Sequence, residues 1–182
     1  MGFLGFIRHC VEMMKNAQKN ELPDSCESSG SVPLLKKKHK LTTNSRHNRP
    51  VAPNHLNREF NPNQINHTWA SDITYIRPHE GWLYLSVAMD LFSRKIFGWV
   101  ASDRINDDLV KQSLVKAVAS RKPGPGLLFH SDQGKQYASN EIQSYLNRHK
   151  MTCSMSNKGD CWDNSVVGSF FDSLKSEWTY HK

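Results

Sequence analysis

Cysteine is scarce in this sequence and poorly spaced for chemistry. Cys10, Cys26, Cys153 and Cys161 form no CxxC pair and make no zinc-ligand spacing with the nine histidines. That excludes a small zinc-binding module and a disulfide framework, and it fits a reducing cytoplasm. Long hydrophobic runs are also missing. The apolar opening, residues 1–7, is too short to span a bilayer, and no basic residue precedes it as a signal peptide requires. Phe6 stands where a myristoylation signal needs Ser or Thr, so no membrane partner is expected. Acidic residues, finally, are absent from 36–58, a stretch that carries Lys36, Lys37, Lys38, Lys40, Arg46, Arg49 and Arg58.

What is present begins with charge. A formal net charge of +7 over 182 residues favours a polyanionic partner over an acidic small molecule. The basic run reads in two ways: a solvated, disordered arm, or an arm that tracks phosphates and gains sequence-independent affinity by counterion release. Upstream, Phe3, Ile7, Val11 and Met14 recur at helical spacing, so 3–19 reads as a short amphipathic helix. The Ser-, Pro- and Gly-bearing stretch 20–35 reads as a linker.

From residue 67 the pattern is rich in strands. The expectation is strands over 69–76, 82–92 and 95–101, with turns at Gly81 and Ser93-Arg94, then a helix opened by Asp107 and Asp108. Pro123-Gly124-Pro125-Gly126 closes that section. Leu127-Leu128-Phe129 is a buried strand, Ser139 or Asn140 caps a helix, and 151–155 is a fifth strand. Asp163, Asn164 or Ser165 caps a last helix, whose Val167, Phe170, Phe171, Leu174 and Trp178 recur on one face. Three meandering strands followed by alternating helices and strands define an α/β, mixed α+β, five-stranded sheet flanked by helices.

Two carboxylates occupy unusual places. Asp72 is the lone charge in the middle of a strand built from apolar and small residues, where burial is costly unless a partner or a cation offsets it. Asp132 stands at the end of the next buried strand, before a sharp turn at Gly134. Paired acids at strand ends beside a helix are suited to a hard divalent cation. Asp90 reads as structural, Asp103, Asp107 and Asp108 as surface or capping residues, and Asp163 as a cap. His130 reads as a packing or hydrogen-bonding residue, and the tryptophans with Phe170-Phe171 as core.

Three separated motifs carry a resemblance: Trp69-Ala70-Ser71-Asp72-Ile73-Thr74-Tyr75-Ile76, His130-Ser131-Asp132-Gln133-Gly134, and Asp163-Asn164-Ser165-Val166 followed by Ser169-Phe170-Phe171 and Leu174-Lys175. From about residue 40 onwards, the chain resembles bacterial insertion-sequence transposases of the insertion-sequence-three type, whose catalytic core is like that of retroviral integrase. The resemblance implies a ribonuclease-H-like fold and a DNA strand-transferase. It further implies two Mg²⁺ (or Mn²⁺) ions, with Asp72 bridging both and Asp132 holding one. The partners implied are DNA (element ends and target) and a homo-oligomer or an intact transposase, in the cytoplasm.

The family places a Glu with thirty-five residues between it and the second Asp, and here that position is Gly168. Asp172, one turn on, lies on the same stripe. The resemblance therefore implies an impaired copy, and the chain ends at Lys182 where the family continues. The expected organisation is an N-terminal segment and linker over 1–35, a basic connector over 36–62, and an integrase-type core, truncated, over 63–182. Two other readings remain at this point: a non-catalytic DNA-binding or oligomerising fragment that modulates intact transposase, and a ribonuclease-H-type hydrolase.

Overall fold

The computed structural model describes residues 47–76, 83–158 and 160–180. The expected helix over 3–19, the linker, the turn at Gly81 and the basic residues Lys36, Lys37, Lys38, Lys40 and Arg46 lie outside these.

Five strands form one mixed sheet: β1 (Thr68–Ile76), β2 (Leu83–Asp90), β3 (Ile96–Ser102), β4 (Leu128–Ser131) and β5 (Thr152–Met155), in the order β3-β2-β1-β4-β5. β1 to β3 pair as an antiparallel meander, whereas β4 joins β1 in parallel and β5 joins β4 in parallel. Parallel pairing needs crossovers. These are supplied by α1 (Asp107–Arg121), between β3 and β4, and α2 (Asn140–Arg148), between β4 and β5. A single 3-10 turn, Cys161–Asn164, then leads into α3 (Ser165–Tyr180).

Because strand residues alternate between faces, the sheet has two cores. Ala70, Ile76, Leu83, Leu85, Val87 and Met89 pack with Val167, Phe171 and Leu174 of α3. Trp69, Ile73 and Phe129 pack on the opposite face with Leu109, Val110, Leu114 and Ala117 of α1 and Ile142 and Leu146 of α2. The helix ends follow local chemistry. Asn106 caps α1 by accepting from the Leu109 N–H at 2.9 Å, and Ser139 caps α2 by accepting from Ile142. α1 ends at Lys122, whose left-handed conformation (φ 45°) closes the last turn through its N–H on the Val118 carbonyl, and Pro123 cannot continue the helix.

One close approach sets how α1 lies on the sheet. A Cβ on Gly98 of β3 would stand 2.0 Å from the Ser113 carbonyl oxygen and 2.7 Å from Ala117 Cβ. Gly98→Ala must therefore push α1 outward, at a cost of about 2 kcal/mol or more in the range of overpacked cores. We expect a clearly lower thermal midpoint, while Gly124→Ala, with nothing within 4 Å of the added carbon, leaves it nearly unchanged. Equal midpoints for the two variants would contradict this packing.

Candidate catalytic carboxylate pair

The parallel register of β1 and β4 pairs Ala70 with His130. Two residues further along stand Asp72, within β1, and Asp132, one residue past the end of β4; Asp72 shares with Ala70 the face covered by α3. Neighbouring strands lie about 4.8 Å apart, so the two acids are adjacent where β4 ends beside the middle of β1. Asp72 Oδ1 accepts from the Ile73 N–H at 2.7 Å, and Asp132 Oδ1 accepts from the Gly134 N–H at 3.0 Å, which closes the turn after β4. Burial, and then the charge of Asp132, pushes Asp72 up to about 8; the Ile73 N–H and the Lys175 ammonium oppose the rise.

α3 runs along this pair. Val167 is fully buried, and Phe171 and Leu174 are nearly so. On the neighbouring stripe an ideal Cβ on Gly168 meets nothing within 4 Å. Asp172 is exposed and acts electrostatically on Lys175, so it does not fill the place opposite Asp72. Lys175 lies two turns beyond Gly168. Its ammonium is pushed down by burial and sits 5.1 Å from the Tyr75 ring centroid. Among the described residues no group of three or more His, Cys, Asp or Glu is placed to hold a metal ion.

The start of α3 is tied to the sheet by a buried polar lattice. His130, fully buried, donates from Nε2 to the Asp163 carbonyl (3.0 Å), because that oxygen can only accept. Nδ1 must then accept from Ser154 Oγ (2.9 Å), whose own lone pairs receive the His55 and Leu56 N–H groups. Burial holds His130 at about 4, so it is neutral and serves as a strut.

The expectation that Asp163 caps α3 is corrected. Its carboxylate is 1% exposed and accepts from the Asn157 N–H (2.8 Å), Asn54 Nδ2 (2.9 Å) and Arg58 Nε (2.9 Å). Burial alone would raise it, but the Asn157 N–H and the Arg58 guanidinium hold it below the usual range. The capping is done by Asp160, which accepts from the Trp162 N–H and starts the 3-10 turn. Trp162 is also not core: it is 69% exposed, whereas Trp69 is fully buried. Asp90 is structural, as expected, accepting from the Asn66 and Ser93 N–H groups and the Ser93 hydroxyl.

The basic connector is placed on the domain from residue 47. Arg49 donates to Asp107 and to the Lys135 carbonyl, and His47 Nε2 contacts the Gln133 carbonyl at 2.9 Å. Arg58 pairs with Asp160 and Asp163. Arg49 and Arg58 thus brace the loop after Asp132 and the turn before α3. Sequence patterning also missed Tyr137. This buried residue places its hydroxyl 2.9 Å from Ser71 Oγ, directly behind Asp72, and burial beside the two acids pushes its phenol well up. The polar pairing of Ser71 with Tyr137 leaves no periodic trace.

The sequence profile of the integrase core domain family matches residues 62–161. The chain belongs to that family, and its mixed sheet with flanking helices is the ribonuclease-H-like fold of integrase catalytic cores. Its curated relatives are insertion-sequence proteins. A 31 kDa protein of insertion element IS600 from Shigella sonnei is 40% identical over 146 residues, covering 80% of this chain and 54% of that protein. Transposase InsF of insertion sequence IS3A from Escherichia coli K12 is 46% identical over 131 residues, covering 72% of this chain and 46% of the relative. The chain thus spans about half the length of these relatives. Two solved structures share the fold. The simian T-cell lymphotropic virus intasome in complex with a PP2A regulatory subunit matches 74% of this chain and 45% of the other at TM-score 0.59 and 22% identity. The HTLV-2 integrase catalytic core domain in complex with magnesium matches 60% and 68% at TM-score 0.51 and 17% identity.

The carboxylate pair predicts a pH dependence. Folded Asp72 binds its proton more tightly than at its ordinary 3.8. Protonated Asp72 therefore favours the fold, and this contribution is complete below that value and lost as pH rises to about 8. His130 acts in the opposite sense below 6.5, so pH 6.5–8 isolates the acid pair. In a metal chelator, the thermal midpoint should fall across that window, and Asp72→Asn should flatten the fall. An identical slope in both proteins would show that Asp72 does not carry this fall.

Proposed function

We propose that this chain is the DNA strand-transfer core of an insertion-sequence transposase, impaired because Gly168 stands where the third acid belongs. The observation that carries the reading is the open space at position 168, on the helix that passes the Asp72–Asp132 pair. Two carboxylates on adjacent strand segments are hard oxygen donors, and the buried Asn164 Oδ1 near Ser71 has no hydrogen-bond partner among the described residues. These groups fit a hard divalent cation, Mg²⁺ or Mn²⁺, with one ligand short. Bound there, such ions supply Lewis acidity for phosphodiester hydrolysis and for attack by a DNA 3′-hydroxyl.

The chain's own residues do the rest. Asp72 and Asp132 would hold the cation, which would relieve their mutual repulsion. Lys175 adds a positive charge beside Asp72. His130, Asp163 and Arg58 fix the turn from which α3 sets out. The partner is DNA, both element ends and target, and the setting is the cytoplasm. Relatives described as an intasome and as dimeric integrase cores support self-assembly or association with an intact transposase. Gly168 equally supports a second reading, in which the chain binds DNA or intact transposase without doing chemistry.

Calorimetry of Mn²⁺ binding tests the site. Gly168→Glu should bind Mn²⁺ at least about tenfold more tightly than the natural chain, since even a residue behind the ligands is worth about ten- to a hundredfold. Gly168→Ala, which shares the gain in helix propensity of about 1 kcal/mol, should not. If Glu binds no better than Ala, position 168 is not the third ligand. Nicking of element-end DNA by the natural chain should be negligible in either metal.

The arm makes a separate prediction. Removing residues 1–46 deletes Lys36, Lys37, Lys38, Lys40 and Arg46 but leaves Arg49 and Arg58 in their ion pairs. For every phosphate that the shortened chain no longer neutralises, the plot of log affinity against log salt should flatten by about 0.9. An unchanged slope would make the run a spacer.

A further inference from the structure

The ladder between β1 and β4 stops short of the acids it brings together. Its register runs from Thr68 opposite Leu128 to Ala70 opposite His130, and Asp72 and Asp132 both lie beyond the last pair. Asp72 is fixed on its other side, where β1 pairs with β2 and Asp72 stands opposite Val87. Asp132 belongs to the loop after β4. That loop is folded on itself. Asp132 Oδ1 accepts from the Gly134 N–H at 3.0 Å, and the Gly134 carbonyl accepts from the Tyr137 N–H at 3.0 Å. From Tyr137 a contact returns to β1. Its hydroxyl lies 2.9 Å from Ser71 Oγ, and Ser71 Oγ donates its own proton to the Val87 carbonyl at 2.7 Å. Ser71 must therefore accept, and Tyr137 must donate. Asp72 follows Ser71 directly, so the two acids are joined by a closed circuit of short bonds.

We infer that Tyr137 is a positioning residue that fixes the distance between the Asp72 and Asp132 carboxylates, and through it the preference of the pair for a small divalent cation over a larger one. The inference rests on the cation site proposed above and adds what sets its choice of ion. Mg²⁺ demands near-ideal octahedral geometry with oxygens at about 2.0–2.1 Å, whereas Ca²⁺ accepts irregular shells at about 2.3–2.6 Å. Two carboxylates held at one spacing therefore discriminate by size, and a pair free to spread does not. Both ends of the Tyr137 bond are rigid. The Tyr137 ring is buried with its centroid 6.4 Å from that of Phe129, and its carbonyl accepts from Gln143 Nε2 of α2 at 3.0 Å. Ser71 is fully buried. The bond is made in the core on the sheet face away from α3, where water does not compete for it. Tyr137 thus acts from behind the sheet, through Asp72 and the loop that carries Asp132.

The test reads ion binding to the full chain from the free-ion EPR signal of Mn²⁺, with Mg²⁺ and Ca²⁺ as competitors. Tyr137→Phe keeps the ring in the core and removes only the hydroxyl. It should weaken Mg²⁺ about tenfold, the lower end of the about ten- to a hundredfold worth of a group behind the ligands. Ca²⁺, which tolerates a looser shell, should weaken by about threefold or less. Ser71→Ala breaks the same bond from the other side and should shift the ratio of the two affinities in the same direction. The double variant should shift it no further than either single one, since both remove one interaction. A merely less stable fold would weaken both ions alike. Equal losses for Mg²⁺ and Ca²⁺, or shifts that add in the double variant, would overturn the inference. If the natural chain binds Mn²⁺ no better than Asp72→Asn does, the cation site itself fails and the positioning role with it. If Asp72→Asn abolishes binding and Tyr137→Phe changes nothing, the positioning role alone fails.

Discussion

The parallel pairing of β4 with β1 is the constraint on which the rest of this structure depends. Parallel neighbours keep their residues in step, so two acids at equal distances past the pair Ala70 and His130 must emerge side by side. Like charges held that close in a half-buried setting are unfavourable without a cation. The fold has to hold them there by other means. It does so from behind, through Ser71 and Tyr137, and from the flanks, through the loop closed on Asp132 and the turn anchored by His130.

That anchoring distributes the work unexpectedly between charge and neutrality. His130 stands in the same motif as Asp132, yet it is a neutral strut whose ring is fully spoken for by Ser154 and Asp163. Asp163 is the reverse case: a buried carboxylate kept charged by Arg58 and two amide donors. Removing any one donor would leave a buried charge short of partners, which costs more than the pair contributes when intact. The segment 54–58 is therefore part of the site's foundation, although it precedes the first strand.

Much of the fold was legible in the sequence because its signals are periodic. The alternation in 69–76, the 3.6-residue recurrence in 165–174 and the turn residues around Gly134 each report a local preference reinforced by tertiary packing. What escaped were features with no period. Tyr137 and Ser71 meet across sixty-six positions of chain, Arg58 reaches Asp163 across one hundred and five, and neither pairing alters local pattern. Asp163 was misread for a related reason. Asp-Asn-Ser before an apolar helical face is a capping signature, but here the preceding Asp160 performs the capping and Asp163 turns inward. Trp162 was misread as core because apolar size alone says nothing of direction.

Gly168 has a meaning beyond metal affinity. Its site touches no neighbouring side chain, and the apolar face of α3 is complete without it. Packing against neighbouring elements therefore places little constraint on what stands there. Fold and chemistry are separately heritable in such a domain. Position 168 can therefore change while the domain remains a well-packed protein.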